Sequence, residues 1–154
     1  MASDAARRGG RALERAFTLV ELLVVSTVLA ILVGYSIPKF YRALEQTQVD
    51  LAAANLELIW SAQRLYYAQN RSFAASISDL QTAGLLDQSF VTVISKPDAK
   101  MAYAIAAADA SSFEATATRS NSGHWSGTLT INEQGSLTGQ INGIGGEVVS
   151  PPST

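Results

Sequence analysis

Glu21 is the side chain best placed to do chemistry in this sequence. It stands near the start of an apolar run that carries no other charge as far as Ile37. A carboxylate in such a segment costs about 2.5 kcal/mol or more when it enters hydrocarbon, so it is expected to have a partner or a task. The other candidates offer less. His124 is the only histidine and cysteine is absent, which leaves no usual zinc site and no thiol chemistry. Gly143-Ile144-Gly145-Gly146 lacks the Lys-Ser/Thr of a phosphate loop, and Asp98 and Asp109 lie in separate turns rather than in a spaced calcium-binding run. No nucleophile stands in a recognisable motif with a base, so no enzyme and no cofactor are expected.

The element that must position Glu21 is a long helix. Phe17 to Ile37 reaches the roughly 20 residues that cross a bilayer. Arg7, Arg8, Arg11 and Arg15 precede it, which keeps that flank in the cytoplasm and sends the carboxyl-terminal part outward. A secretory signal peptide is the competing reading, but Gly34-Tyr35-Ser36 is a poor small-x-small cleavage site. The helical pattern continues to about Asn70, roughly 80 Å at about 1.5 Å per residue, with interruptions only at Gly34 and Pro38. Pro38 has no amide donor and crowds the carbonyl of Gly34, so a bend or local melting is expected between them.

Beyond the proline the pattern turns amphipathic. Leu44, Leu51, Leu58 and Leu65 recur every seven residues, widened by Ala52, Leu56, Ile59 and Tyr66, with Gln46, Asp50, Glu57, Ser61 and Arg64 opposite. This stripe is expected to pack on the chain's own domain rather than in a coiled coil. The helix aromatics, among them Tyr35, Phe40, Tyr41, Trp60 and Tyr66, fit an interface belt and domain packing better than an electron path.

Residues 71–88 read as a connection holding one short helix, capped by Ser76 or Ser78 and stopped at Gly84. Five strands are expected after it, at 90–95, 101–107, 113–119, 127–132 and 136–140, joined by short turns that favour antiparallel neighbours. Residues 143–154 read as a loose tail. The fold class is therefore α+β, a long amino-terminal helix on an antiparallel β-meander.

The stretch Phe17-Thr18-Leu19-Val20-Glu21, after a short basic leader and before a long apolar helix, closely resembles the processing site of type IV prepilins and type II secretion pseudopilins. The resemblance covers Phe17 to about Tyr41. It implies that a membrane-embedded prepilin peptidase cuts between Ala16 and Phe17 and that the new amino terminus is N-methylated. Ala16 departs from the Gly usual before the cut. The resemblance also implies that Glu21 pairs with the amino terminus, at Phe17, of a neighbouring subunit, and Pro38 matches a position where helices of the family often kink.

Four segments follow: a leader at 1–16, a membrane and filament-core helix at 17–41, a pilin-like domain at 42–142 and the tail at 143–154. The implied partners are copies of the chain itself, the peptidase and methyltransferase, an inner-membrane assembly platform, and lipid before assembly. The implied location is the bacterial inner membrane, amino terminus inside, and then an extracellular or periplasmic filament. Without the leader the chain holds seven basic and eleven acidic side chains, a net charge of −4, so dedicated nucleic-acid binding is not expected. A secretion or competence pseudopilin is the nearest alternative. A monomeric single-pass or secreted binding domain is the alternative from a different class.

Overall fold

A computed structural model describes residues 17–152, with only the backbone described at 35–38. Helix α1 spans Leu19–Asn70, 52 residues, and the chain divides into two units between Ile37 and Pro38. In the first unit the large apolar side chains from Leu19 to Val33 are all exposed. This part of α1 is long and apolar enough to cross a membrane. The helix continues through Gly34 and Pro38.

The second unit is built on the carboxyl-terminal half of α1. Two short helices follow, α2 (Ile77–Thr82) and α3 (Gln88–Ile94). Five strands then form one antiparallel meander in chain order: β1 (Met101–Ala108), β2 (Phe113–Arg119), β3 (Trp125–Asn132), β4 (Leu137–Gly143) and β5 (Val148–Val149). The architecture is α+β and pilin-like.

Ser76 caps α2 by accepting from the Asp79 amide, and Gly84 follows with a φ of 71°, as the sequence leads one to expect. The strand expected at 90–95 is instead α3. Its β-branched residues favour a strand in isolation, but Asp87 caps the segment by accepting from the Ser89 amide at 2.7 Å. The helical turn buries Ile94 in the core, and burial outweighs a propensity scale that spans only about 1 kcal/mol.

The core forms where the sheet meets one face of α1. Val49, Ala52, Leu56, Ile59 and Ala62 from the helix join Ala115, Ala117, Leu129, Ile131 and Ile141 from the sheet, all at most 3% exposed. Full burial of each leucine or isoleucine stabilises by about 1.5–3 kcal/mol.

The heptad leucines do not take part. Leu44, Leu51, Leu58 and Leu65 are 45–56% exposed, against the expectation that they pack on the domain. The buried stripe has the same mean spacing as the leucine stripe, so periodicity alone cannot choose between the two faces.

Residues 143–152 also differ from the expected loose tail. Val148 and Val149 pair with Asn142 and Ile141, and Val149 is buried. Gln46 donates to the Ser150 carbonyl at 2.8 Å and Arg42 to that of Val148 at 3.3 Å. The glycine run is the hairpin turn before β5, where the Gly143 amide donates to the Glu147 carbonyl at 2.8 Å. Glycine is required at 127 and 139, which flank the Thr128–Gln140 pair on the adjacent strands β3 and β4. Their φ values are 142° and 102°, and a Cβ would come within 2.3 Å of the Gln140 carbonyl oxygen and 2.2 Å of the Thr128 carbonyl oxygen.

Candidate functional site

The site begins with how the chain enters α1. Thr18 stands just before the helix, and its hydroxyl accepts from the Glu21 amide at 3.2 Å, satisfying one of the donors left open at a helix start. The same hydroxyl lies 3.5 Å from Glu21 Oε2, a long and weak donation toward the carboxylate. Thr18-x-x-Glu21 has the spacing of a capping box. Glu21 thus sits in the first turn, where the helix dipole favours negative charge. That accounts for part of its tolerance in an apolar setting. Its carboxylate remains exposed, as does Phe17.

Of the residues singled out in the sequence, Phe17 and Glu21 are brought to one helix entrance. Ala16 lies outside the described residues, and so does the Pro38 side chain. Gly34 is exposed on α1, with nothing within 4 Å of where a Cβ would stand. Thr18 was not recognised as the cap, although its spacing from Glu21 is legible in the sequence.

Two polar sites inside the second unit were also missed. Glu45 and Arg119 form an ion pair at 2.5 Å with both side chains 6% exposed. Arg119 donates further to the carbonyls of Lys100 and Ser120, so its fork is satisfied. Gln63, fully buried, accepts from the Ala74 amide at 2.8 Å and donates to the Ala74 carbonyl at 2.9 Å, standing in for a strand neighbour. These groups hold the domain together, and no local pattern announces them.

The remaining candidates are structural. His124 is exposed, with its ring edge-on to Trp125. Asp109 accepts from the amides and hydroxyls of Ser111 and Ser112, which lowers its pKa to about 2 and ties the β1–β2 turn. Trp60 donates to the Glu133 carbonyl at 3.1 Å beneath the Arg64 guanidinium, and Tyr67, Phe73 and Phe113 form a stack. Among the described residues no group of three or more His, Asp or Glu could hold a metal ion.

Glu21 thus stands in the capped first turn of an exposed apolar helix segment long enough to cross a membrane. Residues 11–36 match the prokaryotic N-terminal methylation motif. The type IV major pilin protein PilA of Myxococcus xanthus (strain DK1622) is 28% identical over 60 residues. That match covers 39% of this chain and 27% of the relative's length. Together with the fold, these similarities support a pilin or pseudopilin, a structural protein.

Proposed function

We propose that this chain is the structural subunit of a type IV filament, freed by cutting between Ala16 and Phe17, methylated at Phe17, and polymerised through α1. The observation that carries this reading is Glu21, an exposed carboxylate in the first turn of an otherwise uncharged apolar helix segment, inside the matched motif. Cutting creates a cation at Phe17 close to the level of that carboxylate. Pairing the two between subunits offsets part of a desolvation cost that each bears alone. Before assembly the same segment anchors the chain in the inner membrane with its domain outside.

The relative's being a major pilin favours a pilus over a secretion or competence pseudopilus. Partners in this reading are further copies, the prepilin peptidase and methyltransferase, and the assembly platform. Gly34 and Pro38 are where α1 gives up helical hydrogen bonds most cheaply on packing, because Pro38 lacks a donor and Gly costs about 1 kcal/mol relative to Ala in a helix.

The test has two parts. The mature amino terminus should be N-methyl-Phe17; a terminus at Ile37 or an intact Met1 points to a secreted or single-pass binding domain. Glu21→Ala and Glu21→Gln should both insert and be cut yet lose most filament yield as the sole subunit. Normal yield from either would sink the pairing.

A further inference from the structure

The two edges of the sheet are finished differently. At one edge β5 is two residues long and runs on to Pro151 and Pro152, which have no amide donor, so little can be added there. The other edge is β1, eight residues with neither a charge nor a proline. The Ser120 amide donates to the Lys100 carbonyl at 3.0 Å, which makes those two a hydrogen-bonded pair of the ladder. Bonded and non-bonded pairs alternate in an antiparallel ladder, so Ala102 and Ala104 also bond toward β2, while Tyr103 and Ile105 turn their amides and carbonyls to the open side. Among the described residues no backbone group meets them there. Met101 is buried at one end of this stretch and a bulge between Ile105 and Ala107 closes the other, so the open edge is short.

Two cavities flank it. One, of about 330 Å³, is bounded by Lys96, Ala102 and Asn121, and the other, of about 150 Å³, by Gln48, Leu51, Val93 and Lys100. Met101 and Tyr103 border both. Side chains alternate across a strand, so a segment laid along Tyr103 and Ile105 would send successive residues toward one cavity and then the other. The wall between them is fixed in advance, because Asn55 donates to the Tyr103 hydroxyl at 2.9 Å and ties that ring to α1.

The charge at this place sets the chemistry of the occupant. The chain has only three lysines, and two of them, Lys96 and Lys100, stand at these cavities with both side chains exposed. Among the described residues no carboxylate lines either cavity, and Asp98, between the lysines in sequence, belongs to neither lining. The chain's own terminal segments fit poorly: residues 1–16 carry four arginines against two acids, and Pro151-Pro152 interrupts the other end. We propose that the open edge of β1 is a docking site for a short, extended, acidic segment of another protein. The segment adds as a further strand, with backbone hydrogen bonds to Tyr103 and Ile105 and carboxylates beside Lys96 and Lys100. The site lies within the second unit and does not depend on whether the chain polymerises.

The probe is a panel of short acetylated peptide amides that begin or end in Asp-Glu beside three residues drawn from Val, Leu and Phe, offered to the full-length protein in detergent micelles. Adjacent acids point to opposite faces of a strand, one for each lysine. At least one peptide is expected to bind saturably with a Kd below about 1 mM. It should slow hydrogen exchange at the Tyr103 and Ile105 amides by about tenfold or more. N-methylation of the peptide's alternate amides, in one of the two possible registers, should weaken binding by about tenfold or more. Lys96→Glu combined with Lys100→Glu should weaken it by a similar factor and leave denaturant unfolding unchanged, since both side chains are exposed. No saturable binding anywhere in the panel, binding without protection of those two amides, or binding that survives the double substitution would overturn the site. Lysines that only guard the edge against aggregation give the last of these results. Self-association of the unaltered protein that protects the same amides without peptide would assign the edge to a second copy and overturn the proposal as well.

Discussion

From Leu19 to Val33, α1 shows all its large apolar side chains to the surroundings, at 47–84% exposure. Beyond residue 42 the same helix sorts them, burying Val49, Leu56 and Ile59 completely and leaving the heptad leucines half out. The difference lies in what covers each part. In the first half the large apolar side chains from Leu19 to Val33 stay exposed. The second half meets a sheet wide enough to cover one face, the one that carries Val49, Ala52, Leu56 and Ile59. An apolar stripe read from sequence is thus a demand for cover, and tertiary geometry decides which stripe is met from within the chain.

If the second half owes its order to its own domain, its fold must fail when the domain's ties are cut. The largest effect is expected at Arg119→Ala, which leaves the buried Glu45 carboxylate without its cation and should destabilise the domain by about 3–5 kcal/mol in denaturant unfolding. Replacing both partners, Glu45→Met with Arg119→Leu, should recover most of that loss. A matched pair of truncations separates the two faces of α1. Leu56→Ala opens a cavity in the core and should cost about 2–5 kcal/mol. Leu58→Ala, two residues on, should change the isolated subunit by less than about 0.5 kcal/mol. Equal losses at the two positions would erase the distinction between the faces.

The smallest effect expected is one of pH. Asp109 has its pKa lowered from 3.8 to about 2 by hydrogen bonds from Ser111 and Ser112, so it binds its proton less readily folded than unfolded. Its contribution is present above the unfolded pKa and is lost as pH falls through the interval from about 4 to about 2. Asp109→Ala should flatten the acid limb of the stability profile in that interval and leave the profile near neutrality parallel to that of the parent. A change of slope near neutrality instead would assign the acid response to other groups.

Much of this organisation is legible in the sequence, and the exceptions share a cause. β2 falls on the expected residues, and β1, β3 and β4 differ from theirs by a few positions, because short turns and alternation are local signals. Residues 90–94 misled because five strand-favouring side chains outweigh one capping Asp when only neighbours are counted. Val148 and Val149 were hidden among Gly, Pro and Ser, since a two-residue strand has too little pattern to register. At the site, Glu21 declared itself by standing alone, and Thr18 could have been read from its spacing. The Glu45–Arg119 pair joins residues 74 positions apart, and nothing near either one signals the other.

The hydrogen bonds from Arg42 and Gln46 to the β5 segment bear on how the domain carries force. A pull along α1 enters the domain near Arg42 to Gln46. There Glu45 ties the helix to Arg119 of β2, while Arg42 donates to Val148 of the edge strand β5 and Gln46 to Ser150 just beyond it. Tension is therefore divided between an inner strand and the outermost one instead of falling on a single strand. To peel the helix away, both attachments have to give within one short stretch of helix, so the domain resists axial load as a unit.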